Sequence, residues 1–326
     1  MSEIKSINSL MKYLRNIHNI NINGTNHKKQ LRNLGYYHGF KGYRFIKKPQ
    51  NRINYSNFNE VIALNQFDMQ LKSLFYPHIM FIETALKNYV LEVILNEAKT
   101  ENFNIIYDIL LNDYQYYSIG SQKYKKALQK RLRVRNKFYN VLTREYSNNK
   151  QIVKHFYHNN TAVPIWGIFE VISMGEFGNF ISCLNFTTRC NIATLLKLNT
   201  SCNTDGKLVE NIIYLLKDLR NSIAHNDVIF DTRFKSGNPR NSLIRSLSID
   251  TDIASINFET IVDYLILITY ILKNLGTSKT ELKRLVNKFD KIINDFRNLI
   301  PFSTYSQILH TDTRNKLSSL NTFISK

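Results

Sequence analysis

NFNEVIALNQFDMQLKSLF, Asn57 to Phe75, carries a helical period: Leu64, Phe67, Leu71 and Leu74 recur at steps of three and four residues. Asn57 followed by Glu60 has the spacing of a capping box, which gives acceptors to the open N–H groups of a first turn. Pro77 has no amide hydrogen, so a break or kink is expected there. A second stripe then continues as Ile79, Ile82, Leu86, Tyr89 and Val93.

The same period dominates the rest of the chain. Tyr107 to Tyr146 reads as helix, basic in its second half. Pro164 opens another helix in its first turn, where a missing N–H is tolerated. Asp205 is placed to cap a helix bearing Leu208, Ile212, Leu215, Leu219 and Ile223. Phe258 to Leu275 is an apolar helix stopped by Gly276, and Glu281 to Leu299 a charged amphipathic one followed by Pro301. Gly35–Ser56 and Asp231–Ser255 read poorly as helix because of their Gly, Pro and polar residues. The expected fold class is all-α. Three regions are expected: a basic, aromatic-rich N-terminal part (1–56), a helical domain (57–275) with a basic insertion around 107–146, and a C-terminal helical part (276–326).

Composition narrows the function classes. The 326 residues are 43% hydrophobic, which suits a substantial core and argues against intrinsic disorder. Eleven Gly and five Pro are few for a β-sandwich or a doubly wound α/β fold. Cys183, Cys190 and Cys202 are too few and too unevenly spaced for a disulfide framework or a zinc site, and are expected as reduced core thiols. The most apolar stretch, Ile261–Leu272, is shorter than the roughly 20 residues of a membrane span and contains Asp263. Met1–Lys5 leads into no apolar run of the kind a signal peptide has, so a cytoplasmic location is expected. No phosphate-binding Gly-rich loop, nucleophile elbow or metal-ligand spacing occurs, so no metal and no cofactor are expected.

The net charge is +19, and its placement is informative. From Ile4 to Asn59 there is no Asp or Glu, while eleven Lys and Arg stand there, among them Lys5, Lys28, Lys29, Arg32, Lys41 and Arg44. Tyr36, Tyr37 and Tyr43 are interleaved. Cations that pair with phosphates beside rings that stack on bases suit single-stranded or looped RNA. A second acid-free cluster holds Lys123, Lys125, Lys126, Lys130, Arg131, Arg133, Arg135 and Lys137, with Ala127, Leu128, Leu132 and Val134 between them. It reads as a helix with one basic face. A solvated face is the competing reading; two such clusters in one chain favour a polyanion partner. A membrane surface is disfavoured because neither cluster has a wide apolar face.

Chemistry concentrates in Asp218-Leu-Arg-Asn-Ser-Ile-Ala-His-Asn-Asp227, at the end of the Asp205 helix. Arg220 can hold a phosphate oxygen bidentately and stabilise developing charge. His225 can move a proton to or from a reacting hydroxyl. On spacing alone, the alternative is an Arg and a His that neutralise the negative end of the helix.

The motif resembles the HEPN ribonuclease pattern of Arg, a polar residue (here Asn221), a short spacer and His. The surrounding chain resembles the abortive-infection Abi family, its AbiD/AbiF-like branch. Leu31–Phe45 (LRNLGYYHGFKGYRF) is similar to the family's Gly-Tyr-Tyr signature. Asn65–Asn88 resembles its Phe-Asp-x-x-Leu and Ile-Glu helices. Pro164–Phe180 (PIWGIFEVISMGEFGNF) resembles its Pro-x-Trp segment, and Leu219–Asp227 its catalytic motif. The resemblance covers about Leu10 to Leu275, and Lys72 departs from it by standing where the family pattern has Arg.

The resemblance implies a HEPN-type helical bundle that dimerises, bringing two Arg–His pairs across a two-fold axis. It further implies a metal-independent endoribonuclease toxin of phage defence, associated with a structured noncoding RNA. The expected catalytic residues are Arg220, Asn221, His225 and Glu83, the last placed to pair with Arg220. Asn221 is expected to bond a phosphate or orient His225. Trp166 and Glu170 are expected to serve packing and capping. Both basic clusters lie far in sequence from Arg220–His225, so they are expected to hold the structured RNA away from the scissile phosphate. The alternative is a non-catalytic RNA-binding scaffold with a vestigial site.

Overall fold

The computed structural model describes residues 6–326, so the N-terminal charges up to Lys5 lie outside the described residues. Among these residues there are fifteen α-helices and no strand. The first five are α1 (Ile7–His18), α2 (Gly24–Leu34), α3 (Phe58–Ala98), α4 (Phe103–Ile109) and α5 (Gln122–Ser147). The middle five are α6 (Gln151–His158), α7 (Ile165–Val171), α8 (Met174–Ile181), α9 (Phe186–Leu195) and α10 (Leu208–Ala224). The last five are α11 (Asn241–Thr251), α12 (Ile261–Asn274), α13 (Lys279–Arg297), α14 (Phe302–Leu309) and α15 (Thr313–Ser325). The all-α expectation holds.

The spine is α3. Its 41 residues run through Pro77 unbroken, against the expectation of an interruption. Pro77 and Ser73, the residue whose carbonyl loses its partner, both face solvent, so the freed oxygen is open to water. At about 1.5 Å per residue the helix is roughly 60 Å long. It packs against α9, α10, α12 and α13. Phe67 stacks on Phe296 of α13 with ring centroids 4.2 Å apart. The expected cap is shifted by one residue. Asn57 accepts from Asn59 N–H at 2.8 Å, while Glu60 turns back to Ser56 N–H at 3.3 Å rather than to Asn57.

Every residue of α12 from Ile261 to Leu272 is buried, as an all-round apolar helix requires. Gly276, at φ +87°, lets the chain end there. Thr277 N–H reaches Leu272 O and Gly276 N–H reaches Lys273 O, the paired bonds of a Schellman cap. The carboxylate of Asp263, fully buried, accepts from Phe258 N–H at 2.8 Å and from Lys316 Nζ of α15 at 2.8 Å. The C-terminal helices thus share one continuous core with α3 and α12.

Three local expectations are corrected. Tyr107–Tyr146 is not one helix: Gly120 takes φ +82° and Ser121 caps a fresh start by accepting from Tyr124 N–H at 3.1 Å. Asp231–Ser255 is not merely a connection, because it contains α11. Gly35–Ser56 is not wholly irregular, because Gly35–Lys41 forms a π-helical turn. That turn needs Gly39: a Cβ there would lie 2.5 Å from Leu34 Cβ. Asp205 is also not the cap itself. It accepts from Lys207 N–H at 3.0 Å, and Asn203 accepts from Leu208 N–H at 3.1 Å.

The three cysteines are free, and burial pushes the Cys183 thiol up to about 11, as for an inert core thiol. Glu259, just before α12, pairs with Lys47 and, at 2.8 Å, with Lys235, tying the loop after the π-helical turn to the loop after α10. Hydrogen bonds from Lys235 and Lys47 hold its carboxyl down at about 2, against an ordinary 4.5. A depressed folded-state pKa adds stability above the unfolded pKa and loses it as pH falls through the folded one. Wild-type protein should therefore lose stability between about pH 5 and 2 more steeply than Glu259→Gln. Urea midpoints across that range measure this, and matching slopes would contradict the clamp.

Candidate functional site

The site is organised from the buried carboxylate of Asp68 on α3. Asp68 is fully buried. Its Oδ1 accepts from the N–H groups of Ile229 and Phe230 at 2.9 and 2.8 Å, in the loop that follows α10. Its Oδ2 accepts from Tyr43 Oη at 2.9 Å and lies 2.8 Å from Lys72 Nζ. Burial raises the Asp68 pKa, and Lys72 and these donors oppose the shift. Lys72, also buried, donates in turn to Asn226 Oδ1 at 2.9 Å. Asn226 sits at φ +57°, a left-handed conformation that Asn tolerates better than most residues, and His225 directly precedes it. The end of α10 is therefore fixed by a charge on α3, seven helices earlier in the chain.

A second clamp lies beside the first. Asp231 is buried and paired with Arg233, whose guanidinium also donates to Gly42 O at 2.9 Å and to Phe45 O. That guanidinium stacks 4.1 Å above the Phe45 ring. Together the two clamps draw the 42–47 loop against the loop after α10.

Of the expected catalytic residues, the structure brings Glu83, Arg220 and Asn221 together. Glu83 is buried, and its Oε2 lies 3.6 Å from Arg220 Nε. The contact is too long for a hydrogen bond, so Arg220 is held by charge and keeps N–H groups for an anion. Arg220 Nη1 also approaches Asn221 Oδ1 at 3.4 Å. Lys87, one turn beyond Glu83, lies 3.4 Å from it and donates to Ile172 O at 2.9 Å. Glu83, Lys87 and Arg220 line a cleft of about 640 Å³ that Trp166, Glu170 and Arg144 also border. Trp166, exposed on the cleft border, meets the Phe156 ring edge-on, and its Nε1 donates to Glu101 at 2.9 Å. Lys87 was missed as a member; its i,i+4 spacing from Glu83 was the available signal.

His225 is the C-cap of α10 and is exposed. Its backbone N–H bonds to Asn221 O at 2.9 Å, and its ring forms no hydrogen bond among the described residues. Of the two roles expected for Asn221, binding a phosphate or orienting His225, the second has no side-chain bond to His225 among the described residues; the Asn221 side chain contacts Arg220.

The basic clusters divide on inspection. Tyr43 is buried and bonded to Asp68, so it is removed from any stacking surface. Arg131 is anchored, with its guanidinium 3.7 Å above the Tyr107 ring, 2.9 Å from Tyr107 O and 3.1 Å from Asp108. Arg135 lies over the same ring at 5.2 Å. Lys130 and Lys137 each have a carboxylate at 3.5 Å, Glu210 and Glu176 respectively. Lys123, Lys125, Lys126 and Arg133 are exposed. Lys126, Lys130, Arg133 and Lys137 line a groove of about 820 Å³ between α5 and α8. On the N-terminal side Lys29, Arg32, Tyr37 and Lys41 are exposed, while Lys28, Tyr36 and Arg44 are half-buried. Among the described residues, no three His, Cys, Asp or Glu side chains group as metal ligands, and no helix is long and apolar enough to cross a membrane.

These observations define an all-helical protein with cation-lined clefts around the end of one central helix. A sequence-family model described as Abi-like protein matches residues 29–231, more than half of the chain, and the chain belongs to that family. Membership points to abortive-infection phage defence. The matched span is narrower than the expected Leu10–Leu275. It takes in Asp68, Glu83, Arg220 and His225 and stops at Asp231, before α11–α15. No curated protein and no solved structure matches the chain.

Removing the Asp68 carboxylate would strand two N–H groups, a buried hydroxyl and the Lys72 ammonium. Asp68→Ala should cost about 3–5 kcal/mol, the usual cost of breaking a buried pair from one side. A loss below about 1 kcal/mol in urea unfolding would show that Asp68 is not the anchor described.

Proposed function

We propose that this protein is a metal-independent endoribonuclease acting in abortive infection, with Arg220 and His225 as its catalytic pair. The observation that carries the reading is the end of α10. There a guanidinium with free N–H groups is held by a buried carboxylate, and an exposed imidazole stands five residues on, on a backbone that Lys72 and Asp68 fix through Asn226.

The chemistry is intramolecular transesterification. A 2′-oxygen attacks the adjacent phosphorus, the new O2′–P bond forms and the P–O5′ bond breaks. One imidazole takes the 2′ proton and another delivers a proton to the leaving 5′-oxygen. Arg220 binds the non-bridging oxygens, where negative charge builds in the transition state. Glu83 and Lys87 set the position and field of Arg220. A single His225 cannot be base and acid at the same moment, so the working unit is a two-fold dimer with both His225 rings facing one scissile phosphate. The exposed cations of α5 supply a second surface suited to a structured RNA, whose affinity would be salt-dependent.

His225→Ala and Arg220→Ala should each lower RNA cleavage by about 10²–10⁴-fold. His225 is exposed and Arg220 only partly buried, so far-UV circular dichroism and thermal midpoint should stay near wild type. Cleavage should persist in EDTA and leave 2′,3′-cyclic phosphate ends. Wild-type-level cleavage by His225→Ala, or full activity from a strictly monomeric protein in sedimentation runs, would refute the assignment. Tight RNA binding without any cleavage would leave the scaffold reading.

A further inference from the structure

We propose that the cleft between the Gly35–Lys41 turn, α3 and the loop after α10 is the seat of the single-stranded RNA segment flanking the cleaved phosphate. This rests on the ribonuclease reading above and assigns its substrate path.

The cleft holds about 630 Å³. One wall is Tyr37, Lys41 and Arg44, the floor includes Met69, and the other wall is Asn226 and Asp227. Asn226 is the residue after His225. The N-terminal cluster, more than 180 residues from His225 in sequence, is thus adjacent to it in space, against the expectation that both clusters stand apart from the chemistry. Asp68 and Arg233 close the distance, as described above.

The wall is chemically matched to nucleotides. Tyr37 is 70% exposed, which leaves its ring open to stack on a base. Lys41 Nζ lies 5.9 Å from that ring and 5.5 Å from the Tyr36 ring, so cation and stacking face are presented together. Among the described residues neither Lys41 nor Arg44 forms an ion pair with a carboxylate, unlike Lys130 and Lys137 of the α5 groove. Arg233, the other cation of the cleft, is committed to Asp231 and two carbonyls. Asp227 is the single carboxylate of the lining. It can only accept hydrogen bonds when ionised, which suits the amino edge of a base and not a phosphate. An alternation of free cation and open ring is what binds single strands, because every base has a face to stack.

The test uses the full-length His225→Ala protein, which leaves its RNA uncut, and a single-stranded RNA carrying 4-thiouridine. After irradiation, adducts should map by mass spectrometry to the peptide covering residues 33–45, with Tyr37 foremost. Tyr37→Ala should remove those adducts and weaken binding about tenfold, while Tyr37→Phe should retain both. Lys41→Ala should flatten the log–log salt dependence by roughly 0.7 per lost phosphate contact. In the wild-type background Tyr37→Ala should raise KM with kcat little changed, the mark of binding shared by ground and transition states. If wild-type protein cleaves RNA but adducts map to α5 and Tyr37→Ala binds normally, the subsite is overturned and the ribonuclease stands. If adducts form at Tyr37 but wild-type protein never cleaves, the cleft stands as an RNA seat and the ribonuclease reading falls.

Discussion

Asp68 is the constraint on which the arrangement turns. A carboxylate with no solvent exposure is costly unless its lone pairs are used, and here four donors from three parts of the chain use them. Tyr43 brings the N-terminal region, Lys72 comes from the same helix, and Ile229 and Phe230 bring the loop after α10. Few other local geometries satisfy so many groups at once. The bonds therefore specify where the N-terminal region and the end of α10 meet, as well as contributing stability. Lys72 extends the specification to Asn226, and through it to the backbone that carries His225.

Around this anchor the charge of the chain is sorted by burial. Arg233 and Arg189 are drawn inward, onto Asp231 and Asp113, and Arg131 is laid against the Tyr107 ring. Guanidinium groups suit this work because they are planar and weakly hydrated for cations, and they offer several donors in a fixed fork. Among the exposed remainder, Lys41 lines a cleft beside the end of α10, and Lys126, Arg133 and Lys137 line one between α5 and α8. A net charge of +19 thus overstates the cations available to a ligand, and the spatial division of the free ones carries the information.

The helical period was legible because it follows from which faces are buried. The stripes of α3, the apolar run of α12 and the amphipathic α13 are all visible in the linear pattern, as are the capping stop at Gly276 and the motif from Arg220 to His225. What misled was local chemistry overruled by surroundings. Pro77 predicts a break, yet its freed carbonyl faces water, so packing on both sides carries α3 through. The Gly-rich Gly35–Lys41 segment reads as loop, yet it closes a π-helical turn because Gly39 admits Leu34. Tyr43 reads as one more ring for stacking on bases; only its pairing with Asp68 shows it to be interior.

By itself, then, the sequence determined the helical class, the positions of the main helices and the motif proposed to act on phosphate, because these depend on periodicity and on side-chain type. The tertiary structure alone decided which of those residues meet. Glu83 beside Arg220, and the N-terminal cations set next to the end of α10, join parts of the chain that no local rule relates. Each meeting is made at a buried carboxylate, Glu83 for Arg220 and Asp68 for the N-terminal region, that must find its partners wherever the fold supplies them.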